Sequence, residues 1–172
     1  IVIKQISDRP AKTKVPKEVR RLGLMDFSFP LDFASFRDIQ RHRAVAQRMP
    51  LLTFDLGFED WYVNELPTSL QEEAWQLIKE QEHQIRAMHN TTPGATDELD
   101  QYYMPMGLLI RDQITGDLPS IVWLAELRTT RFVHPTLVKQ ALKVANFISS
   151  TLGLPLHLDP EPNRFDVRRG TH

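Results

Sequence analysis

Between Phe36 and Arg43 the chain sets Arg37, Arg41, His42 and Arg43 beside a single acid, Asp38. On a helix, Arg37 and Arg41 lie four residues apart and share a face, as do Asp38 and His42. Guanidinium is planar, forked and permanently charged, so an Arg pair at that spacing grips a phosphate or carboxylate bidentately. The bland alternative is a solvated helix face with one Asp–His pair. Arg128, in Glu126-Leu127-Arg128, reads either as a ligand contact or as a salt bridge at a helix end. His134 reads as the neighbour of a helix N-cap. His83 and His89, six apart on a polar helix face, miss the i,i+4 metal spacing and read as solvated. Tyr102 and Tyr103 can stack on a ring but read better as core. Arg164, Arg168 and Arg169 form a small basic patch that reads as a solvated tail. With no Gly-rich phosphate loop and no readable Ser-His-Asp set, the residues alone assign no catalytic group and no metal site.

The elements that would carry these groups follow from periodicity. Met25, Phe27, Phe29, Leu31 and Phe33 alternate with polar residues and Pro30, which predicts a strand with one buried face. Pro30 cannot donate to a ladder, so that strand belongs at an edge or a bulge. Asp32 is a plausible N-cap for a helix carrying Arg37 to Arg43. Gln47 to Phe54 reads as an extended connector. Thr68 and Gln71 match a capping box, and Leu70, Ala74, Leu77, Ile78, Ile85 and Met88 mark one face of a helix ending near Asn90. A short helix is expected at 97–103. Leu108–Ile110 and Ile114 predict a strand turning at Gly116-Asp117. Pro119 opens the next helix, whose Ile121–Leu127 stretch is apolar nearly all round and therefore central. Pro135 opens a last helix, closed by Gly153 and Pro155. No internal repeat is visible. The class is α+β, an antiparallel sheet packed with several helices.

Composition narrows the chemistry. Hydrophobic residues make up 41% and charged residues 25% of the 172, with a net charge of -1. Those proportions suit a single globular domain or a piece of a larger protein, with no global pull toward nucleic acid or membrane. No apolar run approaches the roughly 18 residues of a membrane span, so a cytoplasmic protein is expected. Zero cysteines exclude disulfides, thiolate-bound zinc and a thiol nucleophile. Residues 1–21 hold seven Lys or Arg against Asp8 and Glu18, interrupted by Pro10 and Pro16. Residues 1–23 are therefore read as a basic N-terminal arm or linker, and 24–172 as the domain proper. The chain opens on Ile1, which is read as a trimmed product or an excised domain.

The run FRDIQRHRAVAQRMPLLTFDLGF, with its Arg41-His42-Arg43 core, resembles the flavin-dependent thymidylate synthases, in particular their divergent, synthase-like branch. A second block fits the same family: Tyr103-Met104-Pro105-Met106-Gly107, then WLAELRTTRFVHPTLVKQA from Trp123 to Ala141. The resemblance covers about Leu24 to Val144. It implies an α+β fold assembled as a homo-oligomer, with flavin and dUMP held where subunits meet. It implies reductive methylation of dUMP to dTMP using FAD, NADPH and methylenetetrahydrofolate. By resemblance Arg41, His42 and Arg43 contact the FAD, while Arg37 and Arg128 approach the nucleotide. Two positions depart from the family. Its hydroxyl three residues after the second Arg is Ala46 here, and its ring-polarising Arg on the last helix falls on Val138. Lys139 is one residue late and about 100° round the helix. A valine cannot stabilise charge developing on a pyrimidine oxygen, so the departures imply eroded activity. The alternative is a non-catalytic structural or oligomerising descendant of that fold, with a second copy of the domain supplying the missing groups. A third reading is a small module that binds an acidic partner through the basic arm.

Overall fold

The computed structural model describes residues 2–11 and 13–161, so Arg164, Arg168 and Arg169 lie outside the described residues. Its centre is a pair of nine-residue strands, β1 (Leu24–Asp32) and β3 (Leu109–Asp117). They run antiparallel from Leu24 opposite Asp117 to Asp32 opposite Leu109. The three-residue β2 (Ala46–Arg48) pairs with the other side of β3, giving the order β1-β3-β2. The period-two pattern does what it predicts. Phe29, Leu31, Ile110 and Ile114 are buried, while on the opposite face Gln113 and Thr115 donate to the Asp26 carboxylate. β1 lies at a sheet edge, where the missing Pro30 N–H costs least.

Each long strand ends in an aspartate that caps the helix after it. Asp32 accepts from the Ser35 amide at 2.9 Å and starts α2 (Phe33–Ile39). Asp117 accepts from the Ser120 amide at 2.9 Å and starts α6 (Leu118–Arg128). The strand–Asp–helix unit thus occurs twice, with a strand register symmetric about the middle of the pair. No repeat was expected, because only the two Asp-x-x-Ser caps survive as a sequence trace.

Helix α6 is apolar nearly all round because it is covered on most sides. Ile121, Val122, Leu124 and Ala125 are buried against α7 (Pro135–Leu152), which contributes Leu137, Val138, Ala141, Val144, Ala145 and Ile148. At about 1.5–3 kcal/mol for each fully buried large side chain, this interface is a large part of the apolar stabilisation of the domain. Gly153 ends α7 at φ 62, a left-handed conformation that disfavours a Cβ.

The stretch read as a basic arm packs onto the domain. It forms α1 (Val2–Ser7) and a 3-10 turn (Lys17–Leu22), and places Ile6, Val15 and Val19 in the main core. Arg9 is buried in an ion pair with Glu126 of α6. Glu126 also accepts the His157 amide, and the His157 ring bonds the Arg9 carbonyl. Both ends of the described chain are therefore tied to one helix.

The remaining helices are α3 (Trp61–Asn64), α4 (Thr68–Thr91) and α5 (Asp97–Asp100). The expected capping box is absent. Pro67 occupies the cap position, and Gln71 reaches back to the carbonyls of Asn64 and Leu66. Along the 24 residues of α4 only Ile85 is fully buried, and Leu77 is 63% exposed. No helix among the described residues is long and apolar enough to cross a membrane.

Candidate functional site

The basic run does not form one helix. Helix α2 stops at Ile39, Gln40 is its C-cap, and Arg41–Val45 turn back toward β2. Arg37 and Arg41 therefore do not share a helical face, nor do Asp38 and His42. The cause is tertiary. The His42 ring swings into the fold, where its Nε2 lies 3.2 Å from the Ser120 carbonyl at the start of α6. His42 is 8% exposed, and burial, helped by the Arg128 charge, pushes its pKa below the ordinary imidazole value. A neutral ring donating to a carbonyl is a structural pin. The cofactor contact that the resemblance implies for His42 would thus fall on a ring whose Nε2 is already engaged.

The pin leaves its neighbours outside. Arg41 and Arg43 are exposed on either side of His42. Neither guanidinium has a hydrogen-bond or ion-pair partner among the described residues, so both remain available to an anion. Arg37, also exposed, reaches only the Met106 sulfur at 3.9 Å. Arg128, the last residue of α6, donates to the Asp38 carbonyl of α2 at 2.5 Å.

On the other side of α2 lies a polar network that the sequence did not reveal. The buried Asp32 carboxylate, already capping α2, also accepts the Tyr62 hydroxyl at 2.9 Å. The Ser35 and Thr136 hydroxyls are 2.7 Å apart, and His134 Nδ1 is 2.8 Å from the Thr136 hydroxyl. Trp61 meets the His134 ring edge-on at 4.5 Å, and Tyr62 stacks beside it at 5.3 Å. Burial lowers the His134 pKa, opposed by the Asp32, Asp38 and Glu59 carboxylates. Burial and the Asp32 carboxylate raise that of Tyr62. Beside this network Glu59, Trp61, Asn64, Thr136 and Lys139 line a cavity of about 250 Å3. His134 stands at the N-cap position of α7 itself rather than beside it, with no side-chain bond to the helix amides. Any signal for the network lay in Asp32-x-x-Ser35 and His134-Pro135-Thr136, both of which also read as plain caps.

The two departures have plain structural places. Val138 is 2% exposed in the core between α6 and α7, and Ala46 is exposed on β2. Tyr102 and Tyr103, expected to be core, are 85% and 55% exposed. His89, expected to be solvated, pairs with Asp100 at 2.6 Å, and His83 is exposed as expected.

No family model matches the chain. It is 27% identical over 132 residues to a UPF0159 protein of Chlamydia muridarum (strain MoPn / Nigg), a match covering 75% of this chain and 24% of that protein. It is 29% identical over 115 residues to a UPF0159 protein of Chlamydia pneumoniae, covering 66% of this chain and 21% of that one. The chain thus spans about a quarter of the length of the curated relatives it matches. Neither name states an activity.

Proposed function

We propose that this chain is a flavin- and nucleotide-binding domain of the flavin-dependent thymidylate synthase type, with its methyl-transfer activity eroded. The observation that carries the reading is the meeting of the two sequence blocks. Arg128 bonds the Asp38 carbonyl, 90 residues away in sequence, and His42 bonds the Ser120 carbonyl, 78 residues away. Arg41-His42-Arg43 and Leu127-Arg128 are thereby held on one corner of the fold.

The residues present fit a phosphate-bearing cofactor. Arg41 and Arg43 are exposed, unpaired cations held by a loop that His42 pins, and a pyrophosphate offers several oxygens within a small volume. When bound, FAD supplies hydride transfer. This chain's own contribution is to grip and orient it, with Arg41 and Arg43 on the phosphates and Arg37 and Arg128 toward the nucleotide. The site is open to solvent, so the reading includes a second copy of the domain to close it, either in a homo-oligomer or in a longer chain. NADPH and methylenetetrahydrofolate belong to the reading only where the family reaction survives.

Burial of Val138 favours a second reading, a non-catalytic structural or oligomerising descendant of that fold. A side chain packed between α6 and α7 puts no cation into a site. The absorbance spectrum of freshly purified protein separates the two. A flavin spectrum supports the first, and colourless protein that takes up no added FAD supports the second. In either case dUMP methylation by this chain alone is expected to be negligible. Robust dTMP formation with FAD, NADPH and methylenetetrahydrofolate would show that another residue replaces the missing cation.

A further inference from the structure

The α4–α5 corner, remote in sequence from the Arg41–Arg43 loop, brings three metal-ligating side chains together. His89 lies in the last turn of α4, and Asp97 and Asp100 are three apart on α5. Each offers one ligand atom, and these atoms all lie within 4.8 Å of one another. From this convergence we propose that His89, Asp97 and Asp100 form a binding site for a first-row divalent cation of the Zn2+ or Co2+ class.

Charge makes the first argument. Two carboxylates converge here on one imidazole, so the cluster is net negative whichever way His89 is protonated. The nearby Arg86 does not balance it, because its guanidinium bonds Glu82 at 2.9 Å and lies over the Phe54 ring at 5.3 Å. Asp100 is only 7% exposed, and a buried carboxylate needs a partner, which His89 supplies at 2.6 Å. The Asp97 carboxylate has no hydrogen-bond or ion-pair partner among the described residues. Helix α5 needs neither acid for its cap, which Thr96 supplies by accepting from Leu99.

Geometry makes the second. Ligands about 2.0–2.2 Å from a tetrahedral zinc stand roughly 3.4 Å from each other. His89 Nδ1 and Asp100 Oδ2 are 2.6 Å apart and need only open slightly, while the exposed Asp97 closes by rotating its side chain. One nitrogen and two oxygens suit borderline cations rather than Cu(I), which prefers sulfur. The three residues line a cavity of about 390 Å3, whose wall also includes Thr53, Asp55, Asn90 and Gln101. That space admits the water or substrate ligand that a three-residue site leaves open. Gln101, next to Asp100, donates to the Leu52 carbonyl and accepts the Leu52 amide at 2.7 Å, which holds the far wall of the cavity in place.

The test is a Co2+ titration of tag-free protein followed by its d–d absorption, with Zn2+ competition and metal stoichiometry after dialysis. Wild type is expected to bind one equivalent saturably and to release Co2+ to Zn2+. Asp97→Asn, an exposed change that leaves the fold intact, is expected to weaken binding by more than about tenfold. His89→Gln should do the same, and His83→Gln should have no effect. Absence of saturable binding in wild type would overturn the assignment. So would undiminished binding in Asp97→Asn, equal weakening by His83→Gln, or displacement of Co2+ by Ca2+ as readily as by Zn2+.

Discussion

Asp112 is the least expected side chain of the core. It occupies the central strand on the buried face, between Ile110 and Ile114, and is fully buried. Neither carboxyl oxygen has a hydrogen-bond partner, and burial pushes its pKa from 3.8 to about 6, only slightly opposed by the nearby Gln113 amide. The folded state therefore holds this proton more tightly than the unfolded chain. That contribution is fully present below pH about 4 and is lost as pH rises through about 6. A shift of about two units corresponds to about 3 kcal/mol, a large part of the 5–15 kcal/mol typical of a domain. Asp112→Asn keeps the shape and removes the charge. Urea unfolding followed by fluorescence of Trp61, Trp75 and Trp123 should give nearly equal stabilities for wild type and variant at pH 4. At pH 8 the variant should be more stable by about 3 kcal/mol. A difference between the two proteins that does not change from pH 4 to pH 8 would refute the reasoning, because Asp112 would then titrate alike in both states.

The buried Arg9–Glu126 pair gives a second test. Arg9→Ala leaves Glu126 charged and without that partner in the core and should cost about 3–5 kcal/mol, read as a lower urea midpoint. A loss below about 1 kcal/mol would favour the reading of residues 1–23 as an arm. For assembly, light scattering after size exclusion at micromolar protein should give a mass above the 20.0 kDa of one chain. A clean monomer over a wide concentration range would count against a site closed by a second copy.

Much of the scaffold was legible because it rests on local rules. Alternation at Met25–Phe33 marked β1, the side chain of Asp32 marked the start of α2, and Pro135 and Gly153 bracketed α7. What was hidden depends on partners far away in the chain. Nothing local says that α2 ends before Arg41, because His42 turns inward for a carbonyl 78 residues away. Tyr102 and Tyr103 are amphipathic, and their type does not decide between core and surface. The His89–Asp100 pair joins two helices across a tight corner, so the spacing rule for one helix could not detect it. Asp112 breaks the alternation of its own strand and would have been placed on the wet face. Within the candidate site the residue types were readable, but their roles were not. Arg41, His42 and Arg43 looked equivalent in sequence, yet the middle one is structural and the outer two are free.

That division of roles is the central claim, and titration of FAD measured by flavin fluorescence tests it most directly. Wild type should bind saturably, and Arg41→Ala or Arg43→Ala should each weaken binding by about 1.5–3 kcal/mol, the range for a charged hydrogen bond. Neither change should shift the urea midpoint appreciably, because both side chains are solvent-exposed. If wild type shows no saturable binding, or all three proteins bind equally well, the Arg41–Arg43 loop is not a phosphate grip.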